Sequence, residues 1–139
     1  MAIWGLAFKS GTDDLRESPS LKIINRLISK NISIQAYDPT QVGVENKNSH
    51  IKNFDNALSA CKEAHVLAVF TEWKEFARIE PKLVAEQMSN LSVFDGRNML
   101  NKNSWLDAGV RLTGDAVKFA VMYFKRTWKM KEYRIYRKQ

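Results

Sequence analysis

Lys9 and Arg97 each stand just beyond a short apolar run, and both carry the charge needed to grip a phosphate. A lysine ammonium neutralises phosphate as a point charge, while an arginine guanidinium adds a bidentate fork. Phe8 and Trp73 offer flat rings for stacking on a base or a sugar face. Gly96, directly before Arg97, allows a close backbone approach where a side chain would clash. These residue types suit a nucleoside diphosphate. Taken one at a time they also have plainer readings. Lys9 reads as a solvated loop residue, Trp73 as a cap on the core and Asp38-Pro39 as a strand stop. Arg16 and Glu17 read as a pair or as guards of a helix start.

The surrounding pattern brings these residues to one place. Short apolar runs at Ile3–Phe8, Ile32–Tyr37, Val66–Phe70, Leu91–Phe94 and Val110–Thr113 read as strands, the first nearly continuous as expected when both faces are covered. Between them lie helical stretches. Ser18-Pro19 opens one that runs to about Lys30, with Leu21, Ile24, Leu27 and Ile28 at helical spacing. Asp55–Ala64 and Pro81–Met88 read as two more helices, and a short one falls near Trp105. The polar segment Thr40–Asn53 has no clear period and reads as loop. Alternating strands and helices predict a doubly wound (Rossmann-like) α/β domain with a mostly parallel sheet and helices on both faces. In such folds ligands bind beyond the carboxyl ends of the strands. Phe8-Lys9 with Thr12-Asp13-Asp14, Asp38-Pro39, Thr71-Glu72-Trp73 and Asp95-Gly96-Arg97 all follow predicted strands, so they should converge on one sheet edge.

Composition narrows the functional classes. A chain of 139 residues has room for one ordinary domain. The charge of +7 lies in a tail: eight of 22 basic residues and one of 15 acidic residues fall between Lys118 and Gln139. The remaining 14 of each sign cancel, which argues against a basic nucleic-acid groove on the folded body. No apolar run approaches the roughly 20 residues that span a bilayer, and the N-terminus has no signal-peptide pattern. A lone Cys61 and the isolated His50 and His65 supply neither an internal disulfide nor a metal-ligand set. The cytoplasm is the expected compartment.

Four of the segments also form an ordered series. Gly5-Leu6-Ala7-Phe8-Lys9 with Thr12-Asp13-Asp14-Leu15-Arg16-Glu17-Ser18-Pro19-Ser20-Leu21 is followed by Ala36-Tyr37-Asp38-Pro39. Thr71-Glu72-Trp73-Lys74-Glu75-Phe76 and Asp95-Gly96-Arg97-Asn98 complete the series. It resembles the C-terminal domain of UDP-glucose/GDP-mannose dehydrogenases over about residues 2 to 113. The resemblance implies oxidation of C6 of a nucleotide sugar from alcohol to carboxylate with two NAD molecules, UDP-glucose being the expected parent substrate. It implies that Phe8 and Lys9 contact the UDP-sugar and that Glu72 and Trp73 line the uracil or sugar region. Arg97 would reach the substrate, with a dimer interface as one route. Arg16 would sit near the cofactor where domains meet.

The resemblance also implies parts found elsewhere in the family. No G-x-G-x-x-G loop occurs in the chain, and Cys61 falls on the core face of a predicted helix rather than at the family's nucleophile position. The expectation is a nucleotide-sugar-binding domain over 1–114 that binds without catalysing, no cofactor being held by this chain alone. Its expected partners are a UDP-sugar and either an NAD-binding catalytic domain or a homodimer mate. The alternative is a stand-alone UDP-sugar-binding, regulatory or interaction module without dehydrogenase activity. Residues 115–139 form a basic tail that departs from the family. Phe119, Tyr123, Phe124 and Trp128 among its cations suit an amphipathic helix for a membrane surface or a partner groove, against the plainer reading of a solvated extension.

Overall fold

Ala2, Ile3 and Trp4 are fully buried and form the first strand, β1 (Ala2–Trp4), at the centre of a six-stranded sheet. The computed structural model describes residues 1–7, 9–16 and 18–115. Phe8, Glu17 and the basic tail from residue 116 onward, with its expected helix, lie outside the described residues.

The other elements, in chain order, are α1 (Pro19–Ser29), β2 (Ile34–Tyr37), β3 (Ile51–Asn53), α2 (Ala57–Ala60) and β4 (Val66–Val69). They are followed by α3 (Lys74–Ala77), α4 (Pro81–Gln87), β5 (Ser92–Asp95), α5 (Lys102–Asp107) and β6 (Arg111–Thr113). The sheet order is β3-β2-β1-β4-β5-β6 and every pairing is parallel. Register places Ile3 between Ala36 and Ala68, and Trp4 between Tyr37 and Val69.

Alternation along the strands divides the core in two. Ala2, Trp4, Leu67, Val69 and Val93 face one side, where they meet Ala57 and Ala60 of α2, Phe76 of α3, Val84 of α4 and Trp105 of α5. Ile3, Ile34 and Ala36 face the other, against Ile24, Leu21, Leu27 and Ile28 of α1. The helices thus cover both faces, as a parallel sheet requires. Trp4 organises the larger core: its ring stacks on Phe76 with centroids 5.1 Å apart, meets Trp105 edge-on, and donates its indole N–H to Ala57 O at 3.0 Å.

Four local expectations change. The helix expected over Asp55–Ala64 is the single turn α2, which begins where the Asn56 side chain accepts the Ser59 N–H and ends before Cys61. β1 stops at Trp4 rather than Phe8, because Gly5 turns the chain at φ +96° and the Leu6 and Ala7 N–H groups leave the ladder for the Asp38 carboxylate. The segment Thr40–Asn53 is not all loop. Its last three residues are β3, paired through Ile34↔Ile51 and flanked by Ile34 N–H to His50 O and Phe54 N–H to Ala36 O. Ser18 occupies the N-cap position of α1 but does not cap it; its hydroxyl donates to Leu6 O at 2.6 Å instead. The single turn α3, which the apolar period does not reveal, exists to seat the fully buried Phe76.

Candidate functional site

Strand order reverses between β1 and β4, so the crevice beyond their carboxyl ends is where this fold class holds ligands. The two strands close tightly there. A Cβ on Gly5 would lie 2.4 Å from the Thr71 Cβ, so only glycine fits. Buried Thr71 then donates its hydroxyl to Ala7 O at 3.0 Å. With the Ser18 hydroxyl on Leu6 O, this pins the chain immediately before Phe8 and Lys9.

Asp38 completes the pinning. Its Oδ2 accepts the Leu6 N–H at 2.8 Å, the Ala7 N–H at 3.0 Å and the Trp73 indole N–H at 3.3 Å. Its Oδ1 accepts the Thr40 N–H at 2.9 Å and the Thr40 hydroxyl at 2.7 Å. The side chain is buried, which alone would raise its pKa. The bonds from Ala7, Thr40 and Leu6 outweigh that, and hold the carboxyl below its ordinary value. One charged group therefore sets the ends of β1 and β2 and the segment after β4. Nearby, burial and then the Glu75 carboxylate on its hydroxyl push the Tyr37 phenol up.

The third loop follows β5. Asp95 Oδ2 accepts the Leu100 N–H at 2.8 Å and Oδ1 the Arg97 N–H at 3.2 Å, which shapes the turn through Gly96 and Asn98. Gly96 packs so that a Cβ would meet Val69 O at 3.0 Å. The turn carries Arg97 to Glu72: Nε lies 2.6 Å from Oε2, and both side chains are partly exposed. Burial raises the Glu72 pKa, but the Arg97 hydrogen bond leads the effects that bring it below the ordinary value. Beyond β5 and β6 lies an open depression of about 510 Å³, lined by Asp95, Asn98, Lys102, Thr113, Gly114 and Asp115 among others.

The residues singled out from the sequence thus have distinct placements. Glu72 and Arg97 are in direct contact. Trp73 is half-buried against the larger core, with its indole N–H on Asp38, so its core-capping role is real. Lys9 is exposed on the loop after β1. Arg16 lies farther along that loop and pairs with Asp14 through both Nε and Nη2, at 3.0 and 3.2 Å. Its hydrogen bond holds the Asp14 carboxyl below the usual range. Asp38, Thr71 and Asp95 organise the site, although the sequence presents them only as members of the segments that follow strands. Their one sequence signal is a short polar residue at the end of an apolar strand, which a strand stop shares.

No group of His, Cys, Asp and Glu among the described residues could hold a metal ion. Cys61 is fully buried, and burial pushes its thiol up to about 12, so it is no nucleophile. The described residues do not fit a dinucleotide cradle either. Such a cradle needs a tight Gly-rich turn into the first helix and a ribose-binding acid after the second strand. Here residues 5–18 separate β1 from α1, Pro19 supplies no N–H at the first helical position, and the Asp38 carboxylate already accepts five bonds.

Comparison with known proteins agrees with this geometry. Residues 2–102 match the family model described as UDP-glucose/GDP-mannose dehydrogenase family, UDP binding domain. UDP-glucose 6-dehydrogenase of Rickettsia conorii is 35% identical over 116 residues, which are 80% of this chain and 26% of that protein. UDP-glucose 6-dehydrogenase of Pseudomonas aeruginosa is 35% identical over 106 residues, 71% of this chain and 23% of that protein. Among solved structures, the UDP-N-acetyl-mannosamine dehydrogenase Cap5O from Staphylococcus aureus superposes with a TM-score of 0.64 at 26% identity. That match covers 85% of this chain and 26% of the other. The chain therefore spans about a quarter of the length of the relatives it matches. With its strand order, its site loops and its matched residues in agreement, this chain belongs to the UDP-glucose/GDP-mannose dehydrogenase family, of which it carries the UDP binding domain.

Proposed function

We propose that the loops beyond β1, β4 and β5 bind the UDP moiety of a nucleotide sugar, within an NAD-dependent 6-dehydrogenase of the UDP-glucose-to-UDP-glucuronate type. Lys9 and Arg97 take the diphosphate. Phe8 and Trp73 flank the uracil or sugar, Glu72 borders the same pocket, and Arg16 faces the cofactor held by another domain. The binding unit runs over residues 1–114, followed by the basic tail 115–139. The observation that carries this reading is the direct meeting of the β4 and β5 loops through Glu72 and Arg97, at the edge where the fold class binds ligands.

Alone, the chain binds and does not oxidise. Its described residues do not fit a dinucleotide cradle and its thiol is buried, so the cofactor and the nucleophile are assigned to a catalytic domain or a dimer mate. Remote binding energy at UDP then serves to hold C6 of the sugar in place for that partner. The cytoplasm is the compartment we infer. Among the described residues no helix is long and apolar enough to cross a membrane.

A thermal-shift titration with UDP, UDP-glucose, GDP-mannose and NAD, repeated by calorimetry, tests the reading. A ligand at 100 times its Kd stabilises the fold by about 2.7 kcal/mol. A response to the UDP compounds and none to NAD is expected. A response to GDP-mannose alone would change the base, and silence toward every nucleotide would remove the binding role from this chain.

A further inference from the structure

Glu72 stands where the two cationic loops meet. Its Oε2 accepts Arg97 Nε at 2.6 Å, and the backbone N–H of Ser10, next in chain to Lys9, also favours its charged form. Among the described residues, the two terminal nitrogens of Arg97 make no hydrogen bond. A guanidinium has five N–H donors in a rigid fork, and engaging Nε leaves the outer pair of nitrogens free for a second, bidentate anion. An unheld arginine would lose side-chain freedom when a ligand immobilised it. The Glu72 contact supplies that ordering beforehand.

We propose that Glu72 is a positioning residue: it holds Arg97 by Nε, with the outer edge of the guanidinium presented to the diphosphate, and touches no ligand itself. This rests on reading the edge as a UDP site, and narrows the role of Glu72 at the border of that pocket to holding Arg97. The two properties of the carboxylate then oppose each other. Its hydrogen bond orients Arg97 and favours binding, while its negative charge beside a phosphate disfavours it. Glutamine separates them, because its amide oxygen still accepts from Nε but carries no charge.

The test is calorimetric titration of the 139-residue chain with UDP, using the unaltered protein, Glu72→Ala, Glu72→Gln, Arg97→Ala and the Glu72→Ala/Arg97→Ala pair. Arg97→Ala should weaken binding roughly 10- to 100-fold, as expected for loss of a charge-assisted bond. Glu72→Ala should weaken it about 2- to 10-fold, the effect of one side chain left to be ordered on binding. Glu72→Gln should bind at least as tightly as the unaltered chain. The double variant should be no weaker than Arg97→Ala, because Glu72 acts only through Arg97. Glu72→Ala affinity equal to or above the unaltered chain would overturn the proposal, as would a further loss on the Arg97→Ala background. If the unaltered chain takes up UDP and Arg97→Ala binds it equally well, this proposal falls while the nucleotide reading stands. If the unaltered chain takes up no UDP, both fall together.

Discussion

The Asp38 carboxylate and the Trp73 indole N–H meet at 3.3 Å, and so tie the end of β2 to the segment after β4, across the intervening β1. The same carboxylate oxygen holds the two backbone N–H groups that lead into the Lys9 loop. Removing this charge should be felt as loss of fold stability before any loss of ligand.

Asp38→Asn is the sharpest probe of that network. Both carboxylate oxygens accept from N–H or O–H donors, so an amide in either orientation sets its own NH2 against a backbone N–H. A destabilisation of about 3 kcal/mol is expected, typical of breaking a buried charged network. Trp73→Phe removes one donor and keeps an aromatic ring, and should cost about 1 kcal/mol. Denaturant melts measure both, and an Asp38→Asn midpoint close to the unaltered protein would show that the network is dispensable.

The pH dependence follows from the direction of the Asp38 shift. Its folded pKa lies below the ordinary carboxylate value, so the folded state prefers the charged form. The resulting stability is fully present above the unfolded pKa of about 4, and is lost as pH falls through the lower folded value. The melting temperature of the unaltered chain should therefore drop more steeply below about pH 4 than that of Asp38→Asn. Parallel curves would assign the acid sensitivity to other carboxylates.

Gly5 and Gly43 separate steric closure from backbone strain. Both have positive φ, +96° and +74°, but a Cβ at Gly43 meets nothing within 4 Å. Gly43→Ala should cost only the left-handed penalty, about 1–2 kcal/mol. Gly5→Ala adds overlap with Thr71 and should cost upward of about 3 kcal/mol. Soluble yield and thermal melts of the two variants give the comparison; equal losses would mean that the β1–β4 approach relaxes freely.

Cys61 should be silent to thiol reagents in the native chain. It is fully exposed to them only after unfolding, since it is buried and its thiol is pushed up to about 12. Ellman's reagent at pH 8 should react at the rate of unfolding. Rapid native labelling would contradict a structural thiol.

Lys9 is exposed and its assignment to the diphosphate is direct to test. Lys9→Ala should weaken UDP binding by roughly 1.5–3 kcal/mol, as expected for a charge-assisted contact, and leave the melting temperature unchanged. Calorimetry that finds the same affinity would return Lys9 to the solvated surface.

Much of this was readable from residue order alone. β4 is a short apolar run buried along its whole length, and such a strand announces itself by composition; β5 is buried too and shows through Val93 and Phe94. β3 and α3 do not, because three residues of mixed character become a strand only through the backbone of β2, and one turn becomes a helix only where Phe76 finds Trp4. The site divides in the same way. Lys9, Glu72, Trp73 and Arg97 are visible as chemistry after strands. The work of Asp38 is invisible, since the groups it binds after β1 and after β4 lie 31 to 35 residues away in the chain. Arg16 finds Asp14 two residues back, a local contact that the sequence does not single out.

Both outer strands of the sheet, β3 and β6, are three residues long. An edge that short presents few unpaired amides and carbonyls to a passing strand. Growth of the sheet from one molecule into the next is thereby disfavoured. Among the described residues, association is left to side chains on the loops beyond the strands and on the outer surfaces of the helices, where specificity can be written residue by residue.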